Sequence, residues 1–229
     1  MSPVTVRVER DILKDASAAA QQFRDEMTRR GTLVVNLMSS PGSGKTSLLE
    51  KTAQFWGTRF RSAVLVGDLE TDRDATRLVK FVPTVQLTTG GACHLELPLV
   101  RRGLQALEVT DLQFLFIENV GNLVCPASHD LGEHLRVILL SVPEGDDKPG
   151  KYPKAFRTSQ VMLLTKVDLL PYLPFSVEAA IADARRIQSG LDVFSVSATA
   201  GDGITDWCEY LEQARSRMLE IGHAVVRDP

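Results

Sequence analysis

The chain has 229 residues and a formal net charge of −3 at pH 7, from 26 lysines and arginines against 29 aspartates and glutamates. This length predicts one domain of ordinary size, and the balanced charge argues against nucleic acid as a partner. No apolar run approaches the roughly 18 to 20 residues that a membrane span needs. Because the 3 cysteines are too few for a disulfide scaffold in a chain this long, we expect a protein of the reducing cytoplasm.

The predicted elements begin with an amphipathic helix over residues 10–30, whose apolar side chains recur at spacings of three and four. We interpret residues 1–31 as a helix packed on a domain formed by residues 32–229. Short apolar runs rich in β-branched residues then predict buried strands at 32–38, 62–66, 114–117, 135–142, 161–164 and 193–196. Helical patterns alternate with these runs at 46–56, 74–81, 95–107, 176–188 and 205–221. This alternation predicts a three-layer α/β/α fold with a mostly parallel central sheet of about seven strands.

Residues 39–46, SSPGSGKT, follow the first predicted strand and open a predicted helix. They match the phosphate-binding pattern G-x-x-x-x-G-K-S/T of P-loop NTPases, except that Ser39 replaces the first glycine. Backbone N–H groups at the helix start can form an anion nest, Lys45 can reach the β and γ phosphates, and the Thr46 hydroxyl can bind Mg²⁺. The alternative, a plain turn before a helix, leaves the Lys-Thr pair unexplained. The predicted phosphate-binding residues are Pro41, Gly42, Ser43, Gly44, Lys45, Thr46 and Ser47.

Residues 165–168, TKVD, end another predicted strand and match the N/T-K-x-D pattern of guanine-binding proteins. The Asp168 carboxylate can accept hydrogen bonds from both guanine N1–H and the exocyclic amine. Adenine has no donor at N1 and would leave this carboxylate unpaired, at about 1 to 3 kcal/mol. The stem of Lys166 can pack on the flat base. With the Ser-Ala-Thr element after the last strand, the predicted guanine-binding residues are Thr165, Lys166, Asp168, Ser197 and Ala198.

Two predicted strands end in acidic residues, Asp68 and Glu118. Ligands of open parallel sheets lie at the carboxyl ends of the strands. We therefore expect both carboxylates to hold Mg²⁺ or its waters together with Thr46. Asp72, in the loop after Asp68, is the candidate for orienting the attacking water. We interpret Asp74 in the same loop as a helix cap or a solvated charge.

Cys93 and His94 stand near the start of a predicted helix, and Cys125 follows a different strand. Two thiols and an imidazole suit Zn²⁺ or Ni²⁺. Three ligands leave a four-coordinate site open, so a second chain, a water or an exchangeable partner must complete it. The alternative is two ordinary buried cysteines. We interpret His129, four residues after Cys125, as a loop histidine in solvent rather than an additional ligand.

Together these residues resemble one family, the hydrogenase nickel-incorporation GTPases, HypB, in the SIMIBI class of P-loop proteins that dimerise around nucleotide. The ENVGNLVCP and EGDDKP strings carry this resemblance more specifically than the phosphate loop does. The matching stretches span most of residues 33–173 and read LMSSPGSGKTSLLE, GDLETDRDATRL, TTGGACHLE, FIENVGNLVCPASHDLGE, LLSVPEGDDKPGKYP and LLTKVDLLP.

The resemblance implies a GTP-hydrolysing metallochaperone that assists nickel insertion into nickel-iron hydrogenase, with GTP or GDP, Mg²⁺, and Ni²⁺ or Zn²⁺. It implies metal binding by Cys93, His94 and Cys125 at the interface of a homodimer that forms on nucleotide or metal binding. The implied partners are other hydrogenase maturation proteins and the hydrogenase large subunit. Two alternatives stay open: a GTP-dependent interaction switch with a structural zinc site, and a related metallochaperone GTPase for urease or a cobalamin enzyme.

Overall fold

The computed structural model describes residues 8–68 and 71–227, and the side chains of residues 14–68 and 71–222. Its strands are β1 (Leu33–Ser39), β2 (Ser62–Asp68), β3 (Thr84–Thr88), β4 (Phe114–Gly121), β5 (Leu135–Ser141), β6 (Val161–Thr165) and β7 (Asp192–Val196). Its α-helices are α1 (Val8–Arg29), α2 (Lys45–Trp56), α3 (Arg73–Leu78), α4 (Leu97–Ala106), α5 (Lys148–Lys151), α6 (Pro153–Arg157), α7 (Val177–Ile187) and α8 (Ile204–Arg227).

The strands form one sheet in the order β3-β2-β4-β1-β5-β6-β7, and every neighbouring pair is parallel. The predicted α/β fold with a parallel sheet of about seven strands is confirmed. β1 is central and buried along its whole length, as expected for a parallel strand covered on both faces. The phosphate-loop sequence therefore leaves the sheet at its middle, between the ends of β4 and β5.

Helices cover both faces of the sheet, because alternate residues of each strand point to opposite sides. On one face, Trp56 of α2 and Trp207 of α8 pack with Leu37 of β1 in a single apolar cluster. On the other face, Phe23 and Met27 of α1 pack with residues of β2, β4 and α4. No helix in the described part of the chain is long and apolar enough to cross a membrane.

Two local differences from the predicted elements bear on the site. The β3 sequence, TVQLT, was not among the predicted strands, because it is a partly exposed edge strand with polar side chains at alternate positions. The helix predicted from residue 95 begins at Leu97, next to Pro98, since proline is favoured in a first helical turn. Cys93 and His94 consequently lie on the loop before α4 and not in the helix.

Candidate functional site

The turn between β1 and α2 depends on two glycines in the left-handed backbone region, Gly42 at φ 75° and Gly44 at φ 95°. Other residues adopt this conformation rarely. Lys45 follows, and its buried ammonium donates a hydrogen bond to Ser39 Oγ at 2.9 Å. Burial lowers the pKa of Lys45 against the opposing effect of nearby carboxylates, Glu118 foremost. The serine that replaces the first glycine of the motif therefore supports the lysine and does not obstruct the turn.

A cavity of about 540 Å³ opens above this turn. It brings together most of the predicted phosphate-binding and magnesium-binding residues and one cysteine of the predicted metal site. Its lining includes Pro41, Gly42, Gly44, Lys45, Thr46, Ser47, Asp68, Cys93, Glu118, Gly121 and Lys166. The remaining predicted phosphate-binding residue, Ser43, lines a neighbouring cavity instead.

Glu118 is the buried acid of this cavity. Thr46 Oγ1 donates a hydrogen bond to Glu118 Oε1 at 2.9 Å. The other oxygen, Oε2, is buried and has no hydrogen-bond partner among the described residues. Burial raises the pKa of Glu118 to about 7, although Lys45 and Thr46 act in the opposite direction. A buried carboxylate oxygen beside a hydroxyl and the neighbouring Asp68 is a donor set that fits Mg²⁺.

The acidic loop after β2 places its residues differently from the prediction. Asp72 is exposed at the start of α3 and is not part of the cavity lining. Asp74, interpreted from the sequence as a cap or solvated charge, lines the cavity together with Arg77. Arg77 also pairs with Glu50 at 2.8 Å and donates to Ser47 Oγ at 3.1 Å. The spacing of three between residues 74 and 77 was the available signal, because such residues share one face of a helix.

A second cavity, of about 280 Å³, lies beside the first and holds the predicted guanine motif. Lys166 lines both cavities from a left-handed backbone position at φ 59°. Asp168 lines the second and accepts a hydrogen bond from Ser197 Oγ at 2.6 Å. Thr165 Oγ1 donates to the carbonyl of Ser43 at 2.7 Å, which ties this motif to the phosphate loop. Ala198 belongs to the same lining, whereas Ser197 acts from behind it.

Glu144, in the EGDDKP string, is a site residue that the sequence reasoning did not single out. Its Oε2 accepts hydrogen bonds from Ser43 Oγ at 2.6 Å, from Ser141 N at 2.9 Å and from Ser141 Oγ at 2.6 Å. Burial by itself would raise the pKa of Glu144, but hydrogen bonds led by those of Ser141 lower it. The Glu144 carboxylate thus connects the phosphate loop, through Ser43, to the end of β5, through Ser141. Only folding shows this contact, because the two serines are far apart in sequence.

The predicted metal-binding residues converge. The candidate ligand atoms of Cys93, His94 and Cys125 all lie within 4.8 Å of one another, and each residue is partly buried. The two sulfurs are 2.6 Å apart. The hydrogen bond between the thiols is the main cause that raises the pKa of Cys125. Two sulfurs and one imidazole fit Zn²⁺ or Ni²⁺, and a fourth ligand is still required for a tetrahedral site.

His129 does not lie free in solvent, contrary to the interpretation from the sequence. Its ring stacks on the ring of His94, with centroids 3.8 Å apart and planes 16° apart. A short 3₁₀ turn, Pro126–Ser128, brings residue 129 back over Cys125, whose carbonyl oxygen lies 2.9 Å from His129 Nδ1. Spacing in sequence did not show this turn, so an isolated histidine was the simplest interpretation.

Comparison with known proteins gives consistent matches. The family model described as "CobW/HypB/UreG, nucleotide-binding domain" matches residues 33–195. The hydrogenase maturation factor HypB of Azotobacter vinelandii is 48% identical over 224 residues, covering 97% of this chain and 74% of that protein. The hydrogenase/urease maturation factor HypB of Helicobacter hepaticus is 40% identical over 224 residues, covering 96% and 92%. The crystal structure of HypB from Helicobacter pylori in complex with nickel matches with a TM-score of 0.83 at 38% identity, covering 89% of this chain and 96% of that one.

Proposed function

The chain belongs to the CobW/HypB/UreG family and, within it, to the HypB hydrogenase maturation factors, and on this premise we propose that it is a GTP-hydrolysing nickel metallochaperone serving nickel-iron hydrogenase. One observation carries the proposal. Cys93 of the thiol cluster lines the same cavity as Lys45 and Glu118. A nucleotide in that cavity and a metal ion on the cluster would therefore act on adjoining groups.

Guanine specificity is assigned to the second cavity. Asp168 accepts from Ser197, which orients its carboxylate beside the lining residues Lys166 and Ala198. A carboxylate held in this way can accept from guanine N1–H and the exocyclic amine. Adenine would leave it without those donors, at about 1 to 3 kcal/mol. Thr165 completes the assignment by linking the base motif to Ser43 of the phosphate loop.

The phosphate groups are assigned to the first cavity, above the turn at Gly42 and Gly44. The hydrogen bond to Ser39 orients the Lys45 ammonium, whose positive charge would attract the β and γ phosphates. Thr46, Asp68 and Glu118 would hold Mg²⁺, and the unpartnered Glu118 oxygen supports this assignment. Mg²⁺ held by these residues would offset the negative charge that develops on the phosphates during hydrolysis.

The water-positioning role is assigned to Asp72, in keeping with its place in the acidic loop. Its exposed position outside the cavity lining requires the loop to approach the γ phosphate when GTP binds. Asp74 is the competing candidate, because it already faces the cavity. Replacing each aspartate by asparagine separates the two: the residue that positions water loses single-turnover hydrolysis with GTP affinity retained.

Dimerisation and metal binding are assigned to one shared step. The cluster supplies three donors per chain, so a second subunit facing it would provide the missing ligands. Cys125 lies seven residues after Glu118 on the segment that continues from β4. A movement of Glu118 on nucleotide binding would therefore be transmitted along this segment to the metal ligand Cys125. By reciprocity, bound metal must change GTP affinity or dimerisation by the same free energy.

The proposed partners are other hydrogenase maturation proteins and the hydrogenase large subunit, and the three free thiols favour a reducing cytoplasm. A second candidate target is urease, because the Helicobacter hepaticus relative is named a hydrogenase/urease maturation factor. A GTP-dependent interaction switch with a structural zinc site is the remaining alternative. This alternative can be distinguished by measurement, because the occupancy of a structural metal would not change between the GDP-bound and GTP-bound states.

The test measures metal content and oligomeric state with GDP and with a non-hydrolysable GTP analogue, during titration with Ni²⁺ and with Zn²⁺. Metal binding that changes between the two nucleotides, together with dimer formation, is the expected result. Cys93→Ser should remove this metal and leave GTP binding intact, whereas Cys208→Ala, a buried cysteine remote from the cluster, should keep it. GTP binding without exchangeable metal in either state would overturn the metallochaperone proposal in favour of the interaction switch.

A further inference from the structure

The loop histidine His129 has surroundings that set it apart from the three proposed ligands. We propose that His129 is a positioning residue of the metal cluster, which holds the ring of His94 and the loop of Cys125 in the arrangement that binds metal. This inference rests on the proposed function only in that the cluster must bind a metal ion such as Ni²⁺.

The first contact is with His94. The two rings are 3.8 Å apart and close to parallel. On the edge of the His94 ring, Nε2 lies 3.6 Å from Glu96 Oε1, while Nδ1 lies 4.0 Å from Cys93 Sγ. The stack with His129 fixes the plane of the His94 ring, and the contact with Glu96 fixes its edge. His94 Nδ1 is therefore directed toward the thiols. Outer contacts of this kind fix the orientation of a ligating histidine.

The second contact is with the loop that carries Cys125. Because a carbonyl oxygen can only accept, His129 Nδ1 donates to the Cys125 carbonyl in the 2.9 Å contact. The backbone of His129 is anchored in turn, since Arg136 Nη2 donates to its carbonyl oxygen at 2.8 Å. Arg136 forms a buried ion pair with Glu133. The stacked ring is therefore supported from the protein interior and can hold both halves of the cluster in place.

The geometry distinguishes positioning from direct ligation. The lone pair of an imidazole nitrogen lies in the plane of its ring, so two stacked parallel rings direct their lone pairs side by side rather than to one point. Among the described residues, the atoms that converge belong to Cys93, His94 and Cys125. His129 accordingly acts on His94 through its flat face, which phenylalanine also offers and leucine and alanine lack, and on the Cys125 carbonyl through its Nδ1–H donor, which all three replacements lack.

The experiment compares His129→Phe, His129→Ala and His129→Leu in the full chain. It measures Ni²⁺ affinity by chelator competition and records the absorption bands of bound Co²⁺. Alanine and leucine should weaken Ni²⁺ binding by about 10- to 100-fold and alter the Co²⁺ bands. Phenylalanine should lose clearly less affinity than alanine or leucine and alter the bands less, because it keeps the stacked face and loses only the hydrogen bond to the Cys125 carbonyl. Leucine preserves side-chain volume, so it separates loss of the stack from a folding defect, and GDP affinity should be unchanged in all three.

The outcomes are distinct. Equal loss in all three variants would show that a ring nitrogen and not the stacked face accounts for the effect, and would overturn positioning through the stack. Unchanged affinity and spectra in all three would show that the stack has no effect and would also overturn it. Failure of the unmodified chain to bind Ni²⁺ or Co²⁺ with any nucleotide would instead overturn the proposed function.

Discussion

The nucleotide cavity and the metal cluster adjoin each other but are built in different ways. The predicted phosphate-binding residues come from one strand–turn–helix segment. Lys45 and Thr46 bond to the buried Ser39 and Glu118, and Ser43 donates to the partly buried Glu144. The cluster is assembled from two separate loops around Cys93 and Cys125, its members are only partly buried, and it offers three donors.

The nucleotide cavity is formed entirely by this chain, whereas the metal cluster lacks, among the described residues, the fourth ligand of a tetrahedral site. The nucleotide cavity is preorganised, so binding there requires little rearrangement. An incomplete and accessible cluster suits a metal that has to be received and released. The segment from Glu118 to Cys125 joins the two regions. Nucleotide binding in the cavity would change metal affinity at the cluster through this segment. If the two regions are separable, a mutation can impair one of them and leave the other intact.

The largest expected effect comes from Lys45→Met, which removes the buried positive charge of the cavity and keeps the bulk of the side chain. GTP hydrolysis should fall by about 10²- to 10³-fold, the range for losing one donor that stabilises developing charge. Ni²⁺ binding measured without nucleotide should persist. Lys51→Met on the same helix, whose ammonium contacts Gln54, is the matched control. Loss of nucleotide-free metal binding in Lys45→Met would contradict the separation of the two regions.

The second effect is a pH dependence of stability from Glu118. Its pKa is raised from 4.5 to about 7 in the folded chain. Between these values the folded state binds more protons than the unfolded state, so this residue makes stability fall as pH rises from about 5 to 8. A shift of this size corresponds to about 3 kcal/mol.

Urea unfolding of the nucleotide-free protein across that range checks this expectation. Glu118→Gln should remove the loss, whereas Glu209→Gln on the surface of α8 should keep it. Mg²⁺ added at pH 8 should stabilise the wild type more than Glu118→Gln. Parallel pH profiles for wild type and Glu118→Gln would show that this carboxyl is not the buried acid described above.

The third effect concerns the base. Asp168→Asn should weaken GTP binding by about 1 to 3 kcal/mol, because an amide cannot accept from both guanine donors. Xanthosine triphosphate, which carries an oxygen in place of the exocyclic amine, should bind the variant better than the wild type. Asp183→Asn, in a surface pair with Arg186, is the control. Equal affinity of Asp168→Asn and wild type for GTP would refute the guanine assignment.

A smaller effect is expected from Glu144, which connects the phosphate loop to the end of β5 by hydrogen bonds from Ser43 and Ser141. Glu144→Gln should weaken GDP and GTP binding alike by about 1 to 2 kcal/mol, since a neutral amide accepts from Ser43 and Ser141 less strongly than a carboxylate. Calorimetric titration with both nucleotides measures this. A loss confined to GTP would assign Glu144 to the γ phosphate and not to support of the loop.

The smallest effect is expected on removing metal. The apolar core lies between the sheet and its helices and contains none of the three cluster residues, so chelation should lower the melting temperature by less than about 2 °C. Differential scanning calorimetry with and without chelator checks this. A fall of more than about 4 °C, equivalent to over 1 kcal/mol, would favour the alternative in which zinc is structural.

The sequence predicted the sheet well where burial is continuous. β1, β5 and β6 are apolar runs fully enclosed by the fold, and such runs are visible without coordinates. β3 was missed because an edge strand needs no apolar run. The predicted phosphate-binding and guanine-binding motifs could be recognised for a similar reason, because each is a short contiguous segment in which a ligand group would dictate the side-chain types.

What the sequence by itself determined is the α/β class and the phosphate turn, and it also predicted the guanine-binding residues and the three soft metal donors. Tertiary structure alone decided that Cys93 borders the phosphate cavity, that Glu144 braces Ser43 and that His129 stacks on His94. The physical reason is separation along the chain. Local spacing encodes what one turn or helix face presents, whereas these contacts join segments that meet only when parallel strands bring their carboxyl ends to one edge of the sheet.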